Sequence, residues 1–79
     1  MSPTVFRYKN CRFFFFSREE ARPHIHVFSP DGEAKFWLLP IVSLESYTGF
    51  SSGRLRELQE IVEERKNEII RAWKKHFGG

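Results

Sequence analysis

The stretch His24-Ile25-His26-Val27-Phe28-Ser29-Pro30-Asp31-Gly32-Glu33-Ala34-Lys35-Phe36-Trp37-Leu38-Leu39 decides the fold. Two runs rich in β-branched and aromatic residues flank Ser-Pro-Asp-Gly. Proline presets the first turn angle, Asp bonds back to the backbone and Gly accepts a positive φ, so the stretch reads as a β-hairpin with strands 24–29 and 33–39. Pro40 stops the second strand because it has no N–H for a ladder. Side chains alternate along a strand. Ile25 and Val27 therefore oppose His24, His26 and Phe28, and Phe36 and Leu38 oppose Trp37 and Leu39. Both faces are apolar. The turn sets the register. A two-residue loop at Pro30-Asp31 places His24 opposite Trp37 and His26 opposite Lys35. A three-residue loop with a bulge at Gly32 places His24 opposite Leu38 and His26 opposite Phe36. The Pro-Asp-Gly order favours the second. It predicts packed, hydrogen-bonded imidazoles on a face shared with Ala34, Phe36 and Leu38.

Upstream, Thr4 to Tyr8 alternates and Arg12 to Phe16 is an aromatic run, both strand-like. Lys9-Asn10-Cys11 between them reads as a tight turn, since Asn tolerates the left-handed conformation. Ser17 to Pro23 is a polar loop. Downstream, Ser43 to Gly49 reads as a connection with room for one helical turn. Ser51 is a candidate N-cap, with Phe50 placed to staple against Leu55. Leu55, Leu58, Val62, Ile69, Trp73 and Phe77 follow helical spacing. The stripe thins between Val62 and Ile69, where the stem of Arg65 or Lys66 can cover apolar surface; a bend at Asn67 is the alternative. Gly78-Gly79 ends the helix. The expected fold is α+β in the order ββββα: a four-stranded antiparallel sheet of two hairpins (4–39), a connection (40–50) and a long helix on one face (51–77), all in one domain, 1–79.

Seventy-nine residues allow one small domain, and 41% apolar with 29% charged residues suit a globular chain. The single Cys11 excludes an intramolecular disulfide and a four-cysteine metal framework, and a lone thiol fits a reducing cytoplasm. The longest apolar runs are far shorter than the ~20 residues of a membrane span, and the start of the chain lacks a signal-peptide layout. The net charge of +3 is mild. Its placement matters more: Arg7, Lys9 and Arg12 near one end and Arg71, Lys74 and Lys75 near the other would reinforce each other on a shared surface.

One helix covers one sheet face, and the other keeps its Phe, Trp and His. Exposed apolar patches of that kind mark interaction sites. The expected occupant is a cognate small protein, a second copy of the chain, or stacked bases, and no membrane. Arg7, Lys9, Arg12 and Arg18 interleave with aromatics, as in folds that bind single-stranded nucleic acid. With Phe28 and Trp37 they are the candidate contact residues.

His24 and His26 point the same way, about 7 Å apart by the strand rise. Such a pair can bind metal, or act as acid and base on a phosphodiester with Arg12 or Lys35 offsetting the phosphate charge. His-x-His is common by chance, and zinc needs a third ligand. Glu20, Glu33, His76 and Cys11 are the candidates, none at a diagnostic spacing. No cofactor is expected. The helix mixes Glu57, Glu60, Glu63, Glu64 and Glu68 with its bases, which marks a solvated face.

The blocks PTVFRYKNCRFFFFS, PHIHV, DGEAKFWL and GFSSGRLRELQEIVEERKNEIIRAWKKHF together resemble the bacterial domain of unknown function 4160 family. The match covers nearly the whole chain, and the ordered set is specific. Cys11 stands where relatives carry a small turn residue or an aromatic neighbour. The resemblance implies a small prokaryotic cytoplasmic protein, often encoded beside a member of the domain of unknown function 2442 family. Such a pair is suspected of forming a toxin–antitoxin module. The resemblance brings no catalytic residue with it. The expected function is a toxin–antitoxin component acting by protein–protein contact. The alternatives are an RNA-cleaving toxin using His24 and His26, and a non-catalytic nucleic-acid-binding domain.

Overall fold

The computed structural model describes residues 4–16 and 22–78. Its elements are β1 (Thr4–Tyr8), β2 (Cys11–Phe14), β3 (His24–Ser29), β4 (Gly32–Trp37), β5 (Ser43–Thr48), α1 (Ser52–Glu64) and α2 (Lys66–Phe77). The strands form one antiparallel sheet in chain order, β1-β2-β3-β4-β5. The fold is α+β, with five strands rather than four and two helices rather than one.

The fifth strand occupies the expected connection at 43–49. Ser43-Leu44-Glu45-Ser46-Tyr47-Thr48 alternates weakly, because an edge strand buries little on either face and tolerates polar residues. Its pairing with β4 shifts register between Lys35 and Phe36, which further blurs the period. Gly49, at φ 83°, then turns the chain into α1.

The β3–β4 register corrects the expected turn. Ser29 pairs with Gly32, His26 with Lys35 and His24 with Trp37, so the loop is the two residues Pro30-Asp31. The Asp31 N–H donates to Ser29 Oγ at 3.0 Å, closing the turn without a bulge. Gly32 serves space rather than a positive φ. A Cβ there would meet the Thr48 carbonyl oxygen and, at 2.9 Å, the Phe50 nitrogen. In the first hairpin Tyr8 pairs with Cys11, and Lys9, not Asn10, takes the positive φ of 54°. The Asn10 side chain instead accepts from Arg54 at 2.7 Å and donates to Asp31 at 3.3 Å.

Strands β2 and β4 stop short of the expected Phe16 and Leu39. Beyond β4 the Leu38 N–H donates to the Pro23 carbonyl at 3.1 Å. Of the expected 17–23 loop, residues 17–21 lie outside the described residues.

Ser51 caps α1, accepting from the Arg54 N–H at 3.2 Å. The expected long helix is broken at Arg65 (φ −102°, ψ 16°), two residues before Asn67, the alternative site for a bend. Arg65 lies 4.3 Å over the Phe6 ring, so it does cover apolar surface where the stripe thins. Gly78, at φ 71°, ends α2 with its N–H on the Lys74 carbonyl.

Both helices pack on one sheet face. Phe13, Phe15, Ile25, Val27, Phe36 and Leu38 from the sheet side meet Leu58 and Val62 of α1 and Ile69 and Trp73 of α2 in one core. Phe6 stacks on Phe13 at 4.4 Å, and Trp73 meets Phe15 edge-on at 5.2 Å.

Candidate functional site

The strand register places one set of side chains on the face away from the helices. Cross-strand partners form three rows: Arg12, Phe28, Glu33 and Thr48; then Phe14, His26, Lys35 and Ser46; then Trp37 and Ser43, while the Trp37 partner His24, at the start of β3, lies against Trp73 of α2. Arg7 lies opposite Arg12, at the margin. Phe28 is 48% exposed and Phe16, just past β2, is 45% exposed.

Cations lie over the rings of this face. The Arg12 guanidinium sits 4.6 Å from the Phe14 centroid, while its Nε donates to Thr4 Oγ1 at 2.6 Å. Arg22 and Lys35 sit 4.2 and 4.6 Å from the Trp37 centroid. Arg22 is anchored by two donations to the Leu39 carbonyl, at 3.1 and 3.0 Å. His26 meets Phe16 edge-on at 4.4 Å and stacks near Phe14 at 5.6 Å.

The two histidines have different environments. Their ring centroids are 5.0 Å apart. His24 is fully buried, between Trp37 at 5.7 Å and Trp73 at 5.0 Å. Its Nδ1 lies 2.7 Å from the Arg22 carbonyl oxygen, which can only accept, so Nδ1 carries the hydrogen. His26 is half-buried beside Lys35, not on a face with Ala34, Phe36 and Leu38 as the three-residue loop predicts. His24 has the packed, hydrogen-bonded environment expected of it.

Four of the named contact residues, Arg7, Arg12, Phe28 and Trp37, share the open face with Lys35. Lys9 does not: its Nζ pairs with Glu57 on α1 at 2.6 Å. Glu57 also accepts from the Tyr8 hydroxyl at 2.6 Å and faces Arg54 Nε at 3.6 Å. Hydrogen bonds from Lys9 and Tyr8 hold the Glu57 carboxyl below its ordinary pKa, and the same bonds raise the pKa of both donors. Arg71, Lys74 and Lys75 are on α2, in the helix layer, so the two basic ends do not share the open face. Arg18 and Glu20 lie outside the described residues.

Among the described residues no group of three or more His, Cys, Asp and Glu side chains is placed to hold a metal ion. Cys11 is buried on the helix side under Arg54, and His76 lies on α2 near Phe15 and Phe77. Among the described residues no helix is long and apolar enough to cross a membrane.

Sequence reasoning did not nominate Arg22, Ser46 or Thr48. The last two follow once β5 is a strand. Arg22 reaches Trp37 only because Leu39 anchors it, which no spacing reveals.

A five-stranded antiparallel sheet with helices on one face and rings and cations on the other defines a small α+β protein with one sheet face left open by its helices. The family model for a domain of unknown function (DUF4160) matches residues 10–74. The chain belongs to that family. No curated protein and no solved structure matches it.

Proposed function

We propose that this chain is a non-catalytic binding component of a toxin–antitoxin-type module in the prokaryotic cytoplasm. Its open sheet face docks a cognate small protein, such as one of the domain of unknown function 2442 family. The observation that carries the proposal is the pair of half-exposed rings, Phe16 and Phe28, on a face the helices leave uncovered. Large rings in water favour burial against a partner. The enclosure of His24 supports binding over catalysis, since only one imidazole of the pair is open to a substrate.

Size-exclusion chromatography with light scattering tests this on the chain alone and mixed with the cognate protein. The expected result is a defined complex, lost in Phe28→Glu protein that keeps its circular dichroism spectrum. A second copy on the same face would appear as a dimer of the chain alone and would replace the cognate protein in the proposal. A monomer at high concentration, unchanged by the cognate protein, would sink it.

A further inference from the structure

The break between α1 and α2 has none of the usual causes. Sharp helix kinks sit at proline, at glycine or serine pairs, or at a bulge in the ladder. The run Ile61-Val62-Glu63-Glu64-Arg65-Lys66-Asn67-Glu68 holds no proline, glycine or serine. Helical bonds reach the break from both sides. The Arg65 N–H donates to the Ile61 carbonyl at 3.0 Å, and the Ile69 N–H donates to the Arg65 carbonyl at 2.9 Å. Yet α2 starts without a side-chain cap. In a straight helix the N–H groups of Lys66, Asn67 and Glu68 would donate to the carbonyls of Val62, Glu63 and Glu64. The break forgoes that turn of hydrogen bonds.

Tertiary packing imposes it. Arg65 lies 4.3 Å over Phe6. Beyond it, Ile69 and Trp73 are buried, with Trp73 against Phe15 at 5.2 Å and His24 at 5.0 Å. A straight helix from Ser52 to Phe77 would run about 39 Å, at 1.5 Å per residue. The longest extent of the described chain is 34 Å. Such a helix overhangs its own sheet, so its α2 half needs another sheet to cover it. Leu58, Val62, Ile69 and Trp73 keep to one side of a straight helix, which puts the second sheet on the same side as the first. A second copy of this chain has the matching seat for α2 and offers its own α2 in return.

We propose that α1 and α2 fuse into one helix in a dimer whose two copies exchange α2 about a two-fold axis. The packing of α2 on a sheet is remade between copies, and the hinge gains its missing hydrogen bonds. Exchange of an identical element is a low-cost route to a closed dimer. Both open sheet faces then point to the same side, away from the helices. The inference uses no side chain of that face and stands apart from the proposed function.

The test is refolding of the full chain from denaturant at rising protein concentration, followed by size-exclusion chromatography with light scattering. A dimer fraction that grows with concentration is expected. Arg65→Ala and Arg65→Gly both remove the guanidinium from Phe6, but alanine favours a continuous helix and glycine opposes it. With two hinges in each dimer, the dimerisation constant should be about tenfold greater for Arg65→Ala. In the wild-type dimer, amide hydrogen exchange at Lys66, Asn67 and Glu68 should slow about tenfold or more relative to the monomer. Contact through an outer surface would leave these three amides unchanged. Phe28→Glu should leave the dimer intact. A wild-type chain that is monomeric at every concentration overturns the inference. So do equal constants for the two Arg65 variants, unprotected amides at 66–68 in the dimer, or loss of the dimer in Phe28→Glu protein. A strictly monomeric chain that still binds the cognate protein would reject this inference and keep the proposed function. An exchanged dimer that ignores the cognate protein would do the reverse.

Discussion

Glu57 joins three groups from two layers: the Tyr8 hydroxyl and Lys9 ammonium at the β1 end, and Arg54 one turn back on α1. Its carboxyl is held below the ordinary value by the Lys9 and Tyr8 hydrogen bonds. A carboxylate with a lowered folded pKa adds stability above its unfolded pKa of about 4.3, and that stability is lost as pH falls through the folded value. Tyr8 and Lys9 are raised by the same partner, so their share fades at the alkaline end, as pH passes about 10. Glu57→Gln should therefore lower the melting temperature at pH 7 and flatten its decline below pH 5. The effect should shrink with added salt, because the groups are solvent-exposed. Melting curves across pH check this; parallel profiles for the two proteins would deny the network any part in stability. None of this was legible in the sequence. Glu57 looks like one helix acid among several, and only the loop that brings Lys9 over α1 selects it. His24 and His26 were legible as a pair, but the sequence favoured the register that put both on the helix-covered face.

The crossing of two turns fixes the sheet's far end. Gly49 has φ 83°, and a Cβ on it would meet the Asp31 carbonyl oxygen and, at 2.9 Å, the Gly32 Cα. Gly32 in turn presses on the Thr48–Phe50 backbone. Neither neighbour is a flexible side chain, so an added methyl forces the backbone apart, at a cost of about 1–3 kcal/mol. Gly49→Ala adds about 1–2 kcal/mol for the left-handed conformation. Gly53, in the first turn of α1, has nothing within 4 Å of its would-be Cβ. Gly53→Ala should stabilise by about 0.5–1 kcal/mol. Thermal unfolding of the three variants should thus split in sign. A stabilised Gly32→Ala protein would contradict the close crossing. Signals carried by local chemistry were readable here: a turn after Ser29 (though not its length), the Ser51 cap, the Gly78 stop and the extents of β1 and β3. The misses depend on tertiary context. β5 owes its strand to pairing with β4, since Ser43–Thr48 has little alternation of its own. The break at Arg65 comes where the chain lays a guanidinium over Phe6, and nothing in the local run marks Arg65 above Asn67.

The whole molecule is asymmetric about its sheet. Phe13 and Phe28 lie on neighbouring strands, β2 and β3, and point to opposite faces. Phe13 is fully enclosed among Phe6 and the helix-side core, whereas Phe28 is half exposed. Truncating a buried Phe costs about 3–5 kcal/mol through lost transfer energy and the cavity left behind. A domain of this length has roughly 4–12 kcal/mol in all, at about 0.05–0.15 kcal/mol per residue. Phe13→Ala should therefore leave the chain largely unfolded or close to it. Phe28→Ala removes a ring that already meets water and should change stability by no more than about 0.5 kcal/mol. Urea titrations at neutral pH compare the two directly. Similar midpoints would mean that the ring on the open face is held by the fold as firmly as the ring in the core. A large gap would mean that Phe28 contributes little to folding, as its exposure predicts.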